Sequence, residues 1–227
     1  MKPIIVVTST RTVQREDVEI RHYPFIDIVP IQFEQSCLKP HYDWLIFTSV
    51  NAIKIFEPYL ASIRVNHIAV IGSKTKKMAE KLNITVDTMP ESYTQEGLID
   101  EFKNKLYNQS VLIPCSKLAR DKLTTQLSEW SNQVQRLHIY EPVTNTENVN
   151  KVHELIKNNE VTHVTFSSSS AVSSYFDKYK VINDAVTVYA IGEITQRKLN
   201  TYHQPSKIAS EYTLEGMINT ILKEVEL

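Results

Sequence analysis

The sequence is poor in glycine and in net charge, and each shortage excludes a class of function. Four glycines in 227 residues cannot supply a Gly-x-Gly-x-x-Gly dinucleotide loop or a Gly-Lys-Ser/Thr phosphate loop. A formal net charge of −1 gives no overall attraction to nucleic acid or to an anionic membrane. No apolar run approaches the roughly 20 residues of a membrane span, and the first residues lead straight into a predicted strand. We therefore expect a soluble, cytoplasmic protein that binds neither nucleic acid nor membrane.

Cysteine and histidine show no ligand pattern. The two cysteines, Cys37 and Cys115, are too few for a disulfide framework and stand in no Cys-x-x-Cys spacing. The seven histidines are scattered without a His-x-His or His-x-x-x-His pair. We therefore expect no metal site.

What the sequence does contain is an internal repeat. Gly72 and Gly192 are 120 positions apart, and Gly97 and Gly216 are 119 apart. Three blocks recur in one order at this offset: Phe47–Ile53 as Phe166–Val172, Ile71–Thr75 as Ile191–Thr195, and Tyr93–Leu98 as Tyr212–Met217. A unit this long is not a solenoid repeat, so the pattern predicts two similar lobes. A cleft between two lobes is the default place for a small-molecule site.

Short apolar strands alternate with helical patterns along the chain. The predicted strands are 4–8, 25–31, 44–48, 67–71, 85–88, 111–114, 134–140, 162–166, 186–191 and 207–209. The predicted helices begin near Asn51, Lys74, Gln95, Arg120, Val149, Ala171, Ile194 and Leu214. Alternating strands and helices predict an α/β protein with parallel sheets covered on both faces.

Most predicted joints from strand to helix carry serine, threonine or glycine. Such hydroxyls can cap the free N–H groups of the helix that follows. The same N–H groups form a weak anion site, and ligands of open parallel sheets gather at the carboxyl ends of the strands. Both uses stay open. The serine run 167–170 lacks the Gly-x-Ser-x-Gly context of a hydrolase nucleophile.

The chain resembles the uroporphyrinogen-III synthase family. The resemblance spans the whole chain and rests on six markers in order: Ile46–Ala52, Val70–Thr75, Leu112–Leu123, Ile139–Pro142, Phe166–Val172 and Ala190–Thr195.

The resemblance implies two flavodoxin-like parallel-sheet lobes joined by a two-stranded connector, with the chain crossing twice between them. One lobe would comprise residues 1–33 and 143–227, and the other residues 34–142. The connector strands would lie near 28–34 and 138–143, each with a proline that suits an edge strand.

For function, the resemblance implies an enzyme that closes hydroxymethylbilane to uroporphyrinogen III with inversion of ring D, and that needs no cofactor. The partner would be this small molecule alone, apart from transient contact with the preceding pathway enzyme, and we expect a monomer. A non-catalytic two-lobed binding protein for an anionic metabolite is the alternative.

The resemblance also assigns site residues. Tyr140 matches a tyrosine proposed to assist departure of the ring A hydroxyl. The expected substrate-binding residues are Arg11, Thr48, Ser49, Gly72, Ser73, Thr75, Ser116, Arg120, Ser167, Ser168, Ser169, Gly192 and Thr195. Helix capping is the competing role for the hydroxyls, and solvated surface positions are the competing role for the arginines. Two positions depart from the family: Ser9 stands where many members have arginine, and Ser116 where many have glycine.

Overall fold

Across residues 2–225, which the computed structural model describes, the chain forms ten β-strands and eight α-helices. The strands are β1 (Ile4–Val7), β2 (Glu19–His22), β3 (Ile26–Pro30), β4 (His41–Phe47), β5 (Arg64–Val70), β6 (Ser110–Ser116), β7 (Gln133–Thr144), β8 (His163–Phe166), β9 (Thr187–Ala190) and β10 (Lys207–Ile208). The helices are α1 (Val50–Phe56), α2 (Ser73–Lys81), α3 (Gln95–Phe102), α4 (Lys122–Glu129), α5 (Thr146–Lys157), α6 (Ser169–Tyr179), α7 (Glu193–Asn200) and α8 (Leu214–Val225). Within this range no helix is both long and apolar enough to cross a bilayer.

The chain divides into two compact units. The first contains residues up to 27 and residues from 143 onward, and the second contains residues 28–142. Each unit is built around its own five-stranded sheet.

The sheet of the first unit has the order β10-β9-β8-β1-β2, and each neighbouring pair is parallel. Numbered by chain order within the unit, this is the 2-1-3-4-5 order of doubly wound sheets. Alternate residues of β1 enter different cores: Ile5 and Val7 pack with Met217 of α8, whereas Val6 packs with Val152 of α5. Because successive side chains of a strand point to opposite faces, both faces of the sheet are buried.

The sheet of the second unit has the order β3-β7-β6-β4-β5. The β4–β5, β4–β6 and β6–β7 pairs are parallel. Ile46 of β4 packs with Leu98 of α3, whereas its neighbours Leu45 and Phe47 pack with Ile53 of α1. Again the strand supplies two cores, one on each face of the sheet.

The predicted α/β class with parallel-dominated sheets is confirmed, and a helix begins within three residues of each predicted start. One predicted strand is wrong: of residues 85–88, only Thr88 joins the sheet, through a single bridge to Ala69. One strand was missed, β2, whose sequence Glu-Ile-Arg-His has no apolar run because it lies at the sheet edge with every residue at least partly exposed.

The repeated glycines of α3 and α8 are required by a close backbone approach. A Cβ atom on Gly97 would overlap the carbonyl oxygen of Ser92 and lie 3.0 Å from its Cβ. A Cβ on Gly216 would overlap the carbonyl oxygen of Glu211 and lie 2.8 Å from its Cβ. At Gly72, by contrast, the nearest atom to an added Cβ would be 3.8 Å away, an ordinary contact.

We predict that Gly97→Ser and Gly216→Ser each destabilise the protein by about 1–3 kcal/mol, since the added Cβ forces the backbone apart. Gly72→Ser is the matched control. It should change stability by less than about 0.5 kcal/mol, because there is room for the side chain and serine suits the start of a helix. Urea unfolding of the three variants measures this, and equal stabilities would contradict the steric argument.

Asp43 joins the amino ends of β4 and β6. Its Oδ2 accepts hydrogen bonds from the backbone N–H of Ser110 at 2.8 Å and from the Ser110 hydroxyl at 2.7 Å. The Asp43 N–H in turn donates to Ser110 Oγ at 3.0 Å. These bonds from Ser110 hold the pKa of Asp43 below its ordinary value.

A carboxylate with a lowered folded pKa stabilises the protein above the pKa of the unfolded chain, and this stability is lost as the pH falls through the folded value. We therefore predict that Asp43→Asn costs about 1 kcal/mol at pH 7. The difference from wild type should shrink as the pH drops below about 4. The control is Asp100→Asn, whose carboxylate has no hydrogen-bond partner within residues 2–225. A deficit for Asp43→Asn that stays constant from pH 7 to pH 3 would refute this account.

Candidate active site

In the second unit, the predicted site residues lie where strands end and helices begin. Thr48 and Ser49 join β4 to α1, Gly72 and Ser73 join β5 to α2, and Ser116 is the last residue of β6. These three strands are parallel, so their carboxyl ends lie at the same edge of the sheet. The unit therefore presents a row of hydroxyl and glycine positions along one edge.

The first unit repeats this arrangement with different residues. Ser167 and Ser168 join β8 to α6, Ser169 opens α6, and Gly192 precedes α7 after β9. Arg11 follows β1 and is exposed, and its N–H donates to Ser9 Oγ at 3.0 Å. The parallel strands β1, β8 and β9 bring these positions to one edge of the first sheet.

Two of the predicted serines cap helices. Ser49 Oγ accepts from the N–H of Ala52 at 3.1 Å, and Ser168 Oγ accepts from the N–H of Ala171 at 3.2 Å. At the starts of α2 and α7 the cap residues are Gly72 and Gly192, which provide no side-chain hydrogen bond. Each unit thus has one helix start capped by serine and one capped by glycine.

Tyr140 lies on β7 in the second unit, next to the end of β6, where its register partner is Ser116. Its hydroxyl lies 2.9 Å from Ser49 Oγ, and either oxygen can be the donor. The residue is 6% exposed and packs with Phe47, Ile53 and Ile139. One serine hydroxyl therefore connects the first turn of α1 to the tyrosine, which fixes the position of the phenol.

Burial keeps the Tyr140 phenol protonated. Removal of the hydroxyl from water raises the pKa of Tyr140 above its ordinary value, and the hydrogen bond with Ser49 offsets this only in part. At neutral pH the side chain can therefore donate a proton or a hydrogen bond, and it cannot act as a base.

The two capping serines differ in their second partner. Ser168 Oγ lies 3.0 Å from Ser170 Oγ, whereas Ser49 Oγ lies next to Tyr140. The duplicated cap is therefore combined with a buried phenol in the second unit, and with another serine in the first.

Arg120 lies after β6 and is paired. Its guanidinium donates to both carboxylate oxygens of Glu96, at 3.0 and 3.3 Å, and Lys122 Nζ lies 3.2 Å from the same carboxylate. Hydrogen bonds from its own backbone N–H, from Arg120 and from Lys122 lower the pKa of Glu96 to about 2. An anionic ligand at Arg120 would have to share or displace this carboxylate.

Thr75 and Thr195 lie inside the first turns of α2 and α7, and both side chains are buried. Ser73, Ser167 and Ser169 are half-buried and lie closer to solvent. The structure therefore separates the predicted hydroxyls into a buried pair and an accessible set.

One residue near Thr48 was missed by sequence reasoning. Arg136 on β7 lines a small pocket together with Thr48, Cys115 and Arg120, and its guanidinium donates to the carbonyl of Ala119. A single arginine in a strand carries no motif, so only the fold reveals that it lies beside two predicted site residues. Within the described residues, no group of three or more histidine, cysteine or carboxylate side chains is arranged to hold a metal ion.

Comparison with known proteins gives consistent results. The family model described as uroporphyrinogen-III synthase HemD matches residues 8–219. The putative uroporphyrinogen-III synthase of Methanocaldococcus jannaschii is 31% identical over 81% of this chain and 80% of its own length. The porphyrin biosynthesis protein HemD of Ruminiclostridium josui is 28% identical over 96% of this chain, and the chain spans 45% of the length of that relative.

The fold has solved counterparts. The uroporphyrinogen-III synthetase of Helicobacter pylori aligns over 98% of this chain and 99% of its own, with a TM-score of 0.71 and 20% identity. A mutant uroporphyrinogen III synthase of Thermus thermophilus aligns over 99% of both chains, with a TM-score of 0.61 and 13% identity. The chain thus shares its fold with these proteins. Since the family model covers nearly the whole chain, the protein belongs to the uroporphyrinogen-III synthase family, whose members cyclise hydroxymethylbilane in tetrapyrrole biosynthesis.

Proposed function

We propose that this chain cyclises hydroxymethylbilane, a linear tetrapyrrole polycarboxylate, to uroporphyrinogen III with inversion of ring D, and that Tyr140 assists departure of the leaving hydroxyl. Family membership supports the reaction. The observation that carries the role of Tyr140 is its buried phenol, held 2.9 Å from Ser49 at a strand end lined with hydroxyl groups.

The reaction balances as a loss of water. The C–O bond of the hydroxymethyl group on ring A breaks, and the oxygen leaves as water with a proton taken from a donor. The resulting azafulvene cation is attacked by the substituted carbon of ring D, which gives a spiro intermediate. Fragmentation and reclosure then deliver the inverted ring, and loss of a proton from the ring restores the balance. No redox step occurs, so we propose that no cofactor takes part.

Tyr140 fits the donor in the first step. The phenol is protonated at neutral pH and can supply a hydrogen bond or a proton to the departing oxygen, although the raised pKa of Tyr140 makes it a weaker acid than an exposed tyrosine. Ser49 Oγ lies beside it and can stabilise the negative charge that develops on the phenol. Ser49 cannot move freely, since it also caps α1.

The enzyme must also determine which uroporphyrinogen isomer is formed. The bilane closes without enzyme to the uninverted isomer I, so the protein must hold the substrate in the geometry of the other closure. We propose that hydroxyls and free backbone N–H groups at the strand ends bind the substrate carboxylates. The accessible candidates are Arg11, Thr48, Ser49, Gly72, Ser73, Ser116, Arg120, Ser167, Ser168 and Ser169. Gly192, Thr75 and Thr195 are buried and would act through helix geometry.

The finer domain plan belongs to the same proposal: lobes of residues 1–33 with 143–227 and of residues 34–142, linked by connector strands near 28–34 and 138–143. It is supported by β3 and β7, which are neighbours in the second sheet and which each contain one boundary between the compact units. We also propose that the protein acts as a cytoplasmic monomer, with only transient contact to the enzyme that supplies its substrate.

The test of the reaction couples the protein to freshly generated hydroxymethylbilane, oxidises the products and separates uroporphyrin isomers I and III by chromatography. We expect isomer III to predominate in proportion to the protein added, with heat-inactivated protein as the control. Isomer I alone, from folded protein and competent substrate, would reject the synthase and favour a non-catalytic binding protein.

For Tyr140→Phe we predict a fall in kcat of about tenfold or more, with a much smaller change in KM, because the proton donor is lost while binding contacts remain. Tyr42→Phe is the matched control in the same unit. Tyr42 is also a buried tyrosine whose hydroxyl is hydrogen-bonded, to Gln135 and to the N–H of Lys39, but it lies at the opposite end of the sheet. Steady-state kinetics of both variants decide the matter: equal kcat values for wild type and Tyr140→Phe would leave the phenol with a packing role only.

A further inference from the structure

Arg136 is a cation that no carboxylate of the described residues pairs with. It lies on β7 in the second unit, and its side chain is half-buried. Within residues 2–225, its guanidinium makes one hydrogen bond, to the carbonyl of Ala119, although an arginine has five N–H donors. A charge held partly away from water is costly unless it is paired. The remaining donors are therefore available to an anion.

The other cations that follow β6 differ from Arg136 in this respect. Arg120 and Lys122 share the carboxylate of Glu96, with nitrogen–oxygen distances of 3.0 and 3.2 Å. Their charges are partly balanced by that carboxylate, whereas the charge of Arg136 is balanced by none of the described residues. Arg136 is therefore the cation of this strand end that gains most from an anionic ligand.

The surroundings of Arg136 are electropositive. His138 lies two residues further along β7. Burial, together with the charges of Arg136 and Lys117, lowers the pKa of His138 below its ordinary value. Lys117 is paired with Glu141 at 2.9 Å, and its charge nevertheless acts on the histidine. An anion bound at this strand end would offset the excess positive charge.

Arg136 lines a small pocket that also contains hydroxyl groups. Thr48, Thr124 and Arg120 are among the other lining residues. Within residues 2–225, neither threonine hydroxyl has a hydrogen-bond partner. The pocket has room for about one water molecule, which is about the size of a carboxylate oxygen. A guanidinium binds a carboxylate through two parallel hydrogen bonds, and a hydroxyl can add a third, so the lining suits one carboxylate group.

The pocket lies at the same strand ends as the hydrogen bond between Ser49 and Tyr140. Thr48 immediately precedes Ser49. Cys115, which also lines the pocket, immediately precedes Ser116, the register partner of Tyr140. All of these residues belong to the second unit. A carboxylate in the pocket would therefore be bound by the same unit that holds the buried phenol.

We propose that Arg136 binds one carboxylate of the linear tetrapyrrole in this pocket, with Thr48 donating a hydrogen bond to the same group. This inference rests on the proposed function and adds a substrate contact that lies wholly within the second unit. The carboxylate supplies the counter-charge that the described residues do not give Arg136. Because the contact is an ion pair in a partly desolvated place, it contributes mainly to substrate affinity.

The experiment compares wild type with Arg136→Met and Arg136→Lys in the full chain. Arg136→Met keeps the length of the side chain without its charge, so KM for hydroxymethylbilane should rise about tenfold, with a smaller change in kcat. Arg136→Lys keeps the charge but loses the parallel hydrogen bonds, so its KM should be intermediate.

Arg64→Met is the matched control. Arg64 is the first residue of β5 in the same unit, so it lies at the amino end of the parallel strands, away from the pocket. Within residues 2–225 it also has no carboxylate partner. Removal of its charge should leave KM unchanged.

The salt dependence of KM separates substrate binding from a structural role at the Ala119 carbonyl. Sodium chloride should raise KM of wild type, because salt screens the ion pair, and should raise KM of Arg136→Met less steeply. Kinetics are measured at a temperature where thermal unfolding shows every variant to be folded. A raised KM with the salt dependence of wild type would overturn the inference and assign Arg136 to holding the loop of Ala119.

The inference and the proposed function can fail separately. If wild type makes isomer III and Arg136→Met has the KM of wild type, only the inference fails. If Arg64→Met raises KM as much as Arg136→Met does, the effect belongs to the overall charge and the inference again fails. If wild type makes isomer I alone, the proposed function fails and the inference with it.

Discussion

Burial of both sheet faces is the constraint on which the rest of this structure depends. Alternate residues of the central strands enter two different cores, as Val6 and Val7 do in the first unit and Ile46 and Phe47 do in the second. Strands of this kind have no face left for polar chemistry. Functional groups are therefore confined to strand ends, where helix starts supply free N–H groups and loops supply hydroxyls.

The hydrogen bond between Ser49 and Tyr140 shows how a reactive group can be added at such a strand end. The serine alone is a helix cap, and the same cap occurs at Ser168 in the other unit. The buried phenol beside Ser49 adds a proton donor whose pKa is raised by its surroundings. Duplication thus supplied two equivalent frameworks, and a different partner for one serine made the two units chemically unequal.

Much of this arrangement could be predicted from local sequence, because strand–helix alternation and capping residues are local signals. The helices and most strands follow from apolar spacing. The edge strand β2 could not be predicted in this way, since Glu19–His22 is polar and lies at the end of the sheet beside β1. Residues 85–88 have a strand-like composition, but only Thr88 is paired, so tertiary context overrode the local preference.

Contacts between distant residues were beyond local reasoning. Ser49 and Tyr140 are separated by 91 positions, and Arg120 and Glu96 by 24. No local pattern indicates that the Arg120 charge is already paired, or that Arg136 lies beside Thr48. The repeat revealed where site residues would lie, and the fold was needed to show what each of them contacts.

Because the first unit is discontinuous in sequence, it constrains the order in which the chain folds. The central strand β1 is hydrogen-bonded to residues about 158 positions later, as in the bond from the Ile4 N–H to Thr162 Oγ1. The second unit, by contrast, is one continuous segment from 28 to 142. During synthesis the second unit can therefore fold first. β1 can pair with β8 only after β8 has been synthesised, and this pairing closes a long loop at an entropic cost. β1 is thus synthesised before the second unit but completed after it.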